Sequence, residues 1–181
     1  EGIRNCRDAG IKVGIRFTVN KRNLADVPAM FDLLKKEKIE RLCFYHLVYT
    51  GRGSKLREED LTHEETRALL DLIAARTKKM FAEGLAPEIL TVDNHADGPY
   101  LYLKMKKENP ARAKEVLELL EMNEGNSTGH GIGCVSWDGE VYPDQFWRNQ
   151  PQGNVRQKPL TKIMTDEKNE IPAVTRESTQ E

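Results

Sequence analysis

The stretch GNSTGHGIGCVSWDGEVYPDQFWRNQPQGNV (Gly125–Val155) combines turn glycines, both tryptophans of the chain and two short β-prone runs. The runs Ile132–Val135 and Glu140–Tyr142 flank Asp138-Gly139, a pair of residues that favours the tight turn of a β-hairpin. We therefore expect a small antiparallel hairpin in this part of the chain.

The residues after this hairpin are typical of a binding surface. Pro143 is expected to end the second strand, and Gly153-Asn154 to form a second turn. Acidic, amide, basic and indole side chains are concentrated between these points, and burying them without a partner costs solvation free energy. A ligand or a metal is therefore a natural occupant, and Asp144, Trp147 and Arg148 are candidate contacts. The alternative is an ordinary surface hairpin.

The composition of the 181 residues excludes several classes of protein. The net charge of −1 gives no basis for a nucleic-acid or membrane surface, and no apolar run approaches the roughly 18 residues of a transmembrane helix. Cys6, Cys43 and Cys134 are odd in number and far apart, which argues against a disulfide framework and favours a reducing cytoplasm. The opening EGIRNCRDAG has neither an initiator Met nor a signal-peptide pattern and starts within a helical pattern, so we expect a longer parent chain.

The segment Ile11–Val19 alternates between apolar and polar residues, as a β-strand with one buried face does. Because helical patterns lie on both sides of it, we expect a parallel strand whose apolar face packs under the helices. The opposite face, with Arg16 and Thr18, would then look into a barrel or crevice. The alternative for Arg16 is a solvent-exposed strand arginine.

Helices and strands alternate through the next hundred residues. The predicted helices are Asn23–Lys36, Leu61–Gly84 and Asn109–Met122, and the further predicted strands are Ile39–Val48 and Pro87–Val92. In the second of these helices Thr62 and Glu65 form a capping box, and Met80 and Phe81 belong to its apolar stripe. This order predicts a parallel α/β sheet, in half of a barrel or in a doubly wound fold.

Polar side chains follow the second and third predicted strands. His46 lies near the carboxyl end of one strand and Arg52 in the loop that follows it, and Asp93, Asn94 and His95 come after the other strand. The carboxyl ends of parallel strands hold the ligand sites of α/β proteins, so these five residues are candidates for binding, metal ligation or acid–base chemistry. The alternatives are a hydrogen-bonded core histidine and a polar turn in which Asx side chains bond their own backbone.

Three of these motifs resemble one known family. The run G-x-x-x-x-D-G-x-V-Y-P-D-x-F-W…G-N-V, together with LTVDNHADG (Leu90–Gly98) and YTGRG (Tyr49–Gly53), is similar to radical S-adenosylmethionine (SAM) enzymes with a SPASM or shortened twitch region. Within that superfamily the sequence most resembles the tetrapyrrole-modifying branch of haem and haem d1 biosynthesis. The likeness covers roughly residues 1–165.

The resemblance implies an α/β fold in two parts. Residues 1–123 would form the C-terminal half of the partial (β/α)6 barrel of radical SAM enzymes, and residues 124–165 a small β-hairpin accessory region of the SPASM or twitch type. Residues 166–181 are polar without a sustained period, and we expect them to be poorly ordered.

The resemblance also implies the chemistry of a cytoplasmic radical enzyme. The family holds a [4Fe-4S] cluster in a CxxxCxxC loop, binds SAM there and generates a 5′-deoxyadenosyl radical with electrons from a donor protein. This sequence lacks the CxxxCxxC loop and the cysteine group of the accessory cluster, so we expect the cluster ligands outside it and no activity from this part alone. Cys134 is either a cluster ligand or a small buried core residue.

Roles for single residues follow from the same resemblance. Arg16 and Thr18 would contact SAM, while a larger group would line the space over an iron-containing tetrapyrrole. That group comprises His46, Arg52, Asp93, Asn94, His95, Asp144, Trp147 and Arg148. Arginines would anchor carboxylates, Trp147 would stack on the macrocycle, and His46 or His95 would ligate its iron. The expected reaction removes acetate side chains from didecarboxysiroheme.

Two other classes of function remain open from the residues themselves. A metal-dependent hydrolase or isomerase on an α/β barrel would use His46, Asp93, His95 and Asp97, and it predicts a bound divalent metal. A non-catalytic module would use the hairpin and its tryptophans to bind a protein partner, and it predicts a partner-dependent gain in stability.

Overall fold

The computed structural model of the protein describes residues 1–123, 128–129 and 132–166. Its backbone contacts divide the chain into two compact units, Glu1–Ala113 and Lys114–Glu181. The predicted boundary at 123/124 lies ten residues further along the chain and stays a prediction. Most of the tail predicted to be poorly ordered, from residue 167 onward, lies outside the described residues.

The first unit contains a parallel three-stranded sheet. Its strands are β1 (Gly14–Thr18), β2 (Arg41–Tyr45) and β3 (Glu88–Val92), in the order β1-β2-β3. Thr18 pairs with Tyr45, and Tyr45 pairs with Val92, so the three carboxyl ends lie side by side. The predicted parallel α/β arrangement is confirmed for these strands.

The helices up to residue 122 are α1 (Gly2–Asp8), α2 (Val27–Glu37), α3 (His63–Ala82), α4 (Asp97–Glu108) and α5 (Pro110–Met122), with 3₁₀ segments at Leu24–Asp26 and Gly51–Glu59. Of these, α2 and α3 connect the three parallel strands. The sequence pattern predicted α1, α2, α3 and α5 but missed α4. No helix within the described residues is both long and apolar enough to cross a lipid bilayer.

One face of the sheet packs into the hydrophobic core, and the opposite face is exposed along β1. Phe44 on β2 is 1% exposed and contacts the rings of Phe31 and Phe17, with centroid distances of 5.4 and 6.3 Å. On β1 the residues alternate, so that Arg16 and Thr18 are exposed on the face opposite this core. The predicted apolar and polar faces of β1 are therefore confirmed.

Two apolar residues that the sequence placed in the core are exposed. Ile11 is 59% exposed because the chain turns at Gly10, where φ is 73°, and the strand begins four residues after this glycine, at Gly14. Phe81 is 55% exposed, although its neighbour Met80 is buried. The apolar stripe of α3 reaches the core at Met80, and Phe81 lies one helical step of about 100° away from it.

The predicted capping box at the start of α3 is present. The Glu65 backbone N–H donates to Thr62 Oγ1 over 3.2 Å, and the Thr62 N–H donates to Glu65 Oε2 over 2.8 Å. These bonds satisfy donors that have no partner within the helix.

We expect Thr62→Ala to lower the free energy of unfolding by about 1 kcal/mol, because the alanine cannot accept from the first turn. Thr62→Ser keeps the hydroxyl and serves as the control. Urea unfolding followed by circular dichroism measures both variants. Equal losses for the alanine and serine variants would contradict the capping role.

The second unit contains a small antiparallel sheet. Strand β4 (Cys134–Val135) pairs with β5 (Glu140–Tyr142), and β5 pairs with β6 (Gly153–Asn154). The predicted hairpin is confirmed, with Gly139 at φ 90° in its turn. Gly153-Asn154 was predicted to be a turn and is a strand instead. A glycine is needed there because φ is 144° and an added Cβ would lie 3.4 Å from Ile163 in α6 (Leu160–Met164).

Candidate functional site

A cleft of about 400 Å³ lies at the carboxyl ends of β2 and β3. Its wall is formed by residues after these two strands and by the first turns of α3 and α4. They include His46, Tyr49, Asp60, His63, Arg67, Asp93, Asn94 and Asp97. The residues after β2 and β3 meet in this cleft because the two strands are in register. The His46 N–H donates to the Val92 carbonyl over 3.0 Å and continues this pairing beyond β2.

The most buried polar contact of the cleft joins His46 and Asp97. His46 Nε2 and Asp97 Oδ2 are 2.8 Å apart, and Asp97 is only 3% exposed. Because a carboxylate oxygen only accepts hydrogen bonds, the imidazole hydrogen is placed on Nε2, and the lone pair of the neutral ring is then on Nδ1. The other carboxylate oxygen, Asp97 Oδ1, is buried without a hydrogen-bond partner among the described residues.

Asp97 reaches this position because α4 begins there. It is the first residue of the helix, where the partial positive charge of the N-terminus stabilises a carboxylate. Asp97 is a candidate from the sequence only in the hydrolase alternative, because the pattern of residues 93–98 indicates a polar turn and no helix start. An acidic residue followed two positions later by Pro99 is a helix-start signal that could have identified it.

Asp93 and Asn94 both line the cleft, as predicted from their place after β3. Asp93 has a left-handed backbone, with φ at 69°. Its carboxyl group is partly desolvated by the wall of the cleft, and this desolvation raises the pKa of the group. Asn94 Oδ1 accepts from the Ala96 N–H over 3.1 Å, so the Asx turn that was the alternative is also present.

Tyr49 and Asp60 form a second polar pair in the cleft wall. The Tyr49 hydroxyl donates to Asp60 Oδ2, and this hydrogen bond raises the pKa of the phenol. Asp60 Oδ1 accepts from the Leu61 N–H over 2.9 Å, so both oxygens of this carboxylate have partners. The basic side chains of His63 and Arg67, from the first turns of α3, line the same wall.

Other predicted contacts lie outside this cleft. Arg52 is exposed on the 3₁₀ segment after β2, and His95 is exposed on the turn before α4, and neither belongs to the cleft wall. Arg16 and Thr18 lie on the open face of the same sheet, where the Arg16 guanidinium is 5.5 Å from the centre of the Tyr45 ring. Of the residues predicted to bind the substrate, His46, Asp93 and Asn94 therefore lie together in the cleft wall. Asp97, which was not among them, lies there too.

The candidates of the second unit differ in how accessible they are. Asp144 forms the turn after β5, accepting from the backbone N–H groups of Phe146 and Trp147 at 2.7 Å and from the Thr128 hydroxyl at 2.7 Å. Trp147 is half-buried. Trp137, which was not a candidate, is 81% exposed, and the Arg148 guanidinium lies 5.1 Å from the centre of its ring.

The described residues differ in how well they suit the two cofactors of radical SAM proteins. No group of three or more His, Cys, Asp or Glu side chains able to hold a metal ion occurs among them, and their cysteines are free. They therefore do not fit an iron–sulfur cluster. Cys134 is half-buried on β4. The open polar face of β1, with an exposed arginine, does fit the carboxylate group of a cofactor such as SAM.

Comparison with known proteins gives close relatives. No protein-family model matches the chain. It is 62% identical over 172 residues to Fe-coproporphyrin III synthase of Methanosarcina barkeri (strain Fusaro / DSM 804), covering 95% of the chain and 43% of that protein. It is 38% identical over 168 residues to pre-heme d1 synthase of Dinoroseobacter shibae, covering 91% and 41%. PqqA peptide cyclase of Gluconobacter oxydans is 36% identical over 101 residues, or 53% of the chain and 26% of that protein.

Solved structures show the same fold. Native anSMEcpe with bound AdoMet and a Kp18Cys peptide matches 92% of the chain and 42% of its own length, with a TM-score of 0.59 and 18% identity. The chain thus spans less than half the length of the curated relatives it matches. By its sequence relatives and its fold, the chain belongs to the tetrapyrrole-modifying family of radical SAM proteins.

Proposed function

We propose that the protein is a radical SAM enzyme that removes acetate side chains from didecarboxysiroheme to give an iron coproporphyrin. The observation that carries this proposal is that the open polar face of β1 and the cleft after β2 and β3 belong to one parallel sheet. A cofactor and a substrate can therefore be held side by side at the strand ends. The 62% identity to a protein named Fe-coproporphyrin III synthase supports the choice of product.

On this proposal residues 1–123 are the later half of a partial (β/α)6 barrel, and residues 124–165 are its accessory region. The exposed Arg16 guanidinium binds the SAM carboxylate in a bidentate manner, and the Thr18 hydroxyl adds a polar contact on the same face. SAM, bound with a reduced iron–sulfur cluster, supplies the radical that abstracts hydrogen from the substrate. Residues other than those described hold the cluster, and a donor protein reduces it.

The substrate occupies the cleft, with Asp93 and Asn94 in its wall. Of the two candidate histidines, His46 lines the cleft, and Asp97 fixes its ring through Nε2, as a carboxylate commonly does for a metal-ligating histidine. His95 is exposed outside the cleft wall and is the alternative ligand for the substrate iron. Arg52 and Arg148 remain proposed anchors for carboxylates, and Trp147 remains the proposed stacking surface.

The experiment that tests this function uses the full-length protein, purified without oxygen and reconstituted with iron and sulfide. We expect cleavage of SAM under reducing conditions to increase when didecarboxysiroheme is added. SAM cleavage that no iron tetrapyrrole accelerates, or a stoichiometric divalent metal with hydrolytic activity, would overturn the proposal.

A further inference from the structure

Asp97 is a buried carboxylate with one satisfied and one unsatisfied oxygen. It is 3% exposed, Oδ2 is 2.8 Å from His46 Nε2, and Oδ1 has no hydrogen-bond partner in the described part of the chain. Leaving a buried charged oxygen unpaired costs free energy comparable to its lost hydration. A carboxylate in this state is therefore expected to meet a donor from outside the protein.

The local backbone does not supply that donor. Asp97 is the first residue of α4, and the helix N-terminus favours its negative charge. Pro99, in the same first turn, has no N–H, so the helix start offers one donor fewer than usual. The helix N-terminus therefore stabilises the charge of Asp97, but it gives Oδ1 no hydrogen bond.

Two of the acidic and phenolic groups of the cleft are already engaged. Asp60 accepts from Tyr49 and from the Leu61 N–H, and the Tyr100 hydroxyl donates to Asp71 over 3.0 Å. Because Asp97 lines the cleft and no donor of the described residues reaches Oδ1, an occupant of the cleft can supply the missing hydrogen bond.

We propose that Asp97 has two roles: Oδ2 positions His46, and Oδ1 accepts a hydrogen bond from an O–H group of the bound ligand. This inference rests on the proposed function, and two molecules of that function carry such a group. One is the ribose of SAM, through its hydroxyls, and the other is the tetrapyrrole, through a protonated carboxyl side chain. The cleft of about 400 Å³ is at the lower end of small-molecule sites, so it suits either the nucleoside or one edge of the macrocycle.

The test measures the dissociation constants of SAM and of iron coproporphyrin III separately, in the full-length reconstituted protein. We expect Asp97→Asn to weaken the ligand that donates to Oδ1 by about tenfold or more, since a hydrogen bond to a charged group is lost, and to change the other less than threefold. The ligand that loses affinity is the donor. Asp71→Asn is the matched control, because Asp71 bonds Tyr100 and Lys104 and is not part of the cleft wall. It should change neither constant by more than threefold.

A readout on the wild-type protein covers the case in which Asp97→Asn does not fold. With ¹³C in the aspartate side-chain carboxyl groups, the Asp97 resonance should shift on saturation with SAM or with diamagnetic zinc coproporphyrin III. In a folded Asp97→Asn variant, the ¹⁵N shifts of His46 should also show hydrogen leaving Nε2, a change that a purely structural role would not produce.

Two results would overturn the inference. Unchanged affinity of Asp97→Asn for both ligands, with turnover retained, would mean that Oδ1 is satisfied by water alone, and the proposed function would still stand. An Asp97 resonance that shifts with neither saturating ligand would have the same meaning. If the wild-type protein binds neither ligand, this inference and the proposed function both fail.

Discussion

Phe44→Ala is expected to lower the free energy of unfolding by about 3–5 kcal/mol, the largest loss of stability that we predict for a single substitution in this chain. Phe44 is 1% exposed on the central strand β2, and its ring contacts Phe31 and Phe17. Removing it leaves a cavity between the sheet and α2 in addition to the lost burial. Since small domains are stable by only about 5–15 kcal/mol, much of the first unit's stability would be lost.

Phe81→Ala is the matched control for this prediction. It makes the same chemical change on α3, but Phe81 is 55% exposed, and alanine favours the helix. We expect a change within about 0.5 kcal/mol. Guanidinium unfolding followed by far-ultraviolet circular dichroism compares the two variants. Similar losses for both would contradict the assignment of the core to the covered face of the sheet.

Arg16→Ala is expected to weaken SAM binding by about tenfold to a hundredfold. The proposed contact is a charge-assisted hydrogen-bond pair, and such bonds contribute roughly 1.5–3 kcal/mol. Arg16→Lys should lie between the alanine variant and the wild type, since lysine keeps the charge without the bidentate geometry.

Arg41→Ala serves as the control for Arg16. Arg41 lies on the same face of the sheet but at the amino end of β2, where it pairs with Glu88 at 2.5 Å. Isothermal titration of the full-length reconstituted protein with SAM should show little effect of this variant. If Arg41→Ala weakens binding as much as Arg16→Ala, the cofactor is not held by the polar residues of β1.

Local signals in the sequence predicted much of the first unit. The alternation along β1 identified both of its faces, and the Thr62–Glu65 pair identified the start of α3. The carboxyl end of β3 was placed correctly at Val92, and that of β2 was placed three residues too late, at Val48 instead of Tyr45; His46, Asp93 and Asn94 were candidates because they lie near these ends. Each of these features depends on residues close together in sequence or on the general rule for parallel sheets.

The pairing of His46 with Asp97 could not be found in this way. The two residues are 51 positions apart, and only the register of β2 and β3 brings them to 2.8 Å. Helix α4 was missed because Gly98 and Pro99 in its first turn are poor helix formers, so the segment resembled a polar loop. Tertiary packing therefore outweighs the low helix propensity of these two residues at the start of α4.

The hairpin shows a second limit of sequence patterns. Gly153-Asn154 has the composition of a turn, but β5 needs a partner strand, and the glycine lets that strand pass close to Ile163. Similarly, the sequence favoured Trp147 over Trp137 as a binding residue. Trp137 is exposed at the tip of the hairpin, whereas Trp147 is half-buried after the Asp144 turn. Exposure of an aromatic side chain depends on its neighbours in space.

The most direct test of the proposed function is the mass of the tetrapyrrole after a single anaerobic incubation. The full-length reconstituted protein is mixed with SAM, a reductant and didecarboxysiroheme, and the products are identified by mass spectrometry. We predict the mass of an iron coproporphyrin that has lost its acetate side chains, together with 5′-deoxyadenosine. A tetrapyrrole of unchanged mass, in a preparation that cleaves SAM, would contradict the proposed reaction.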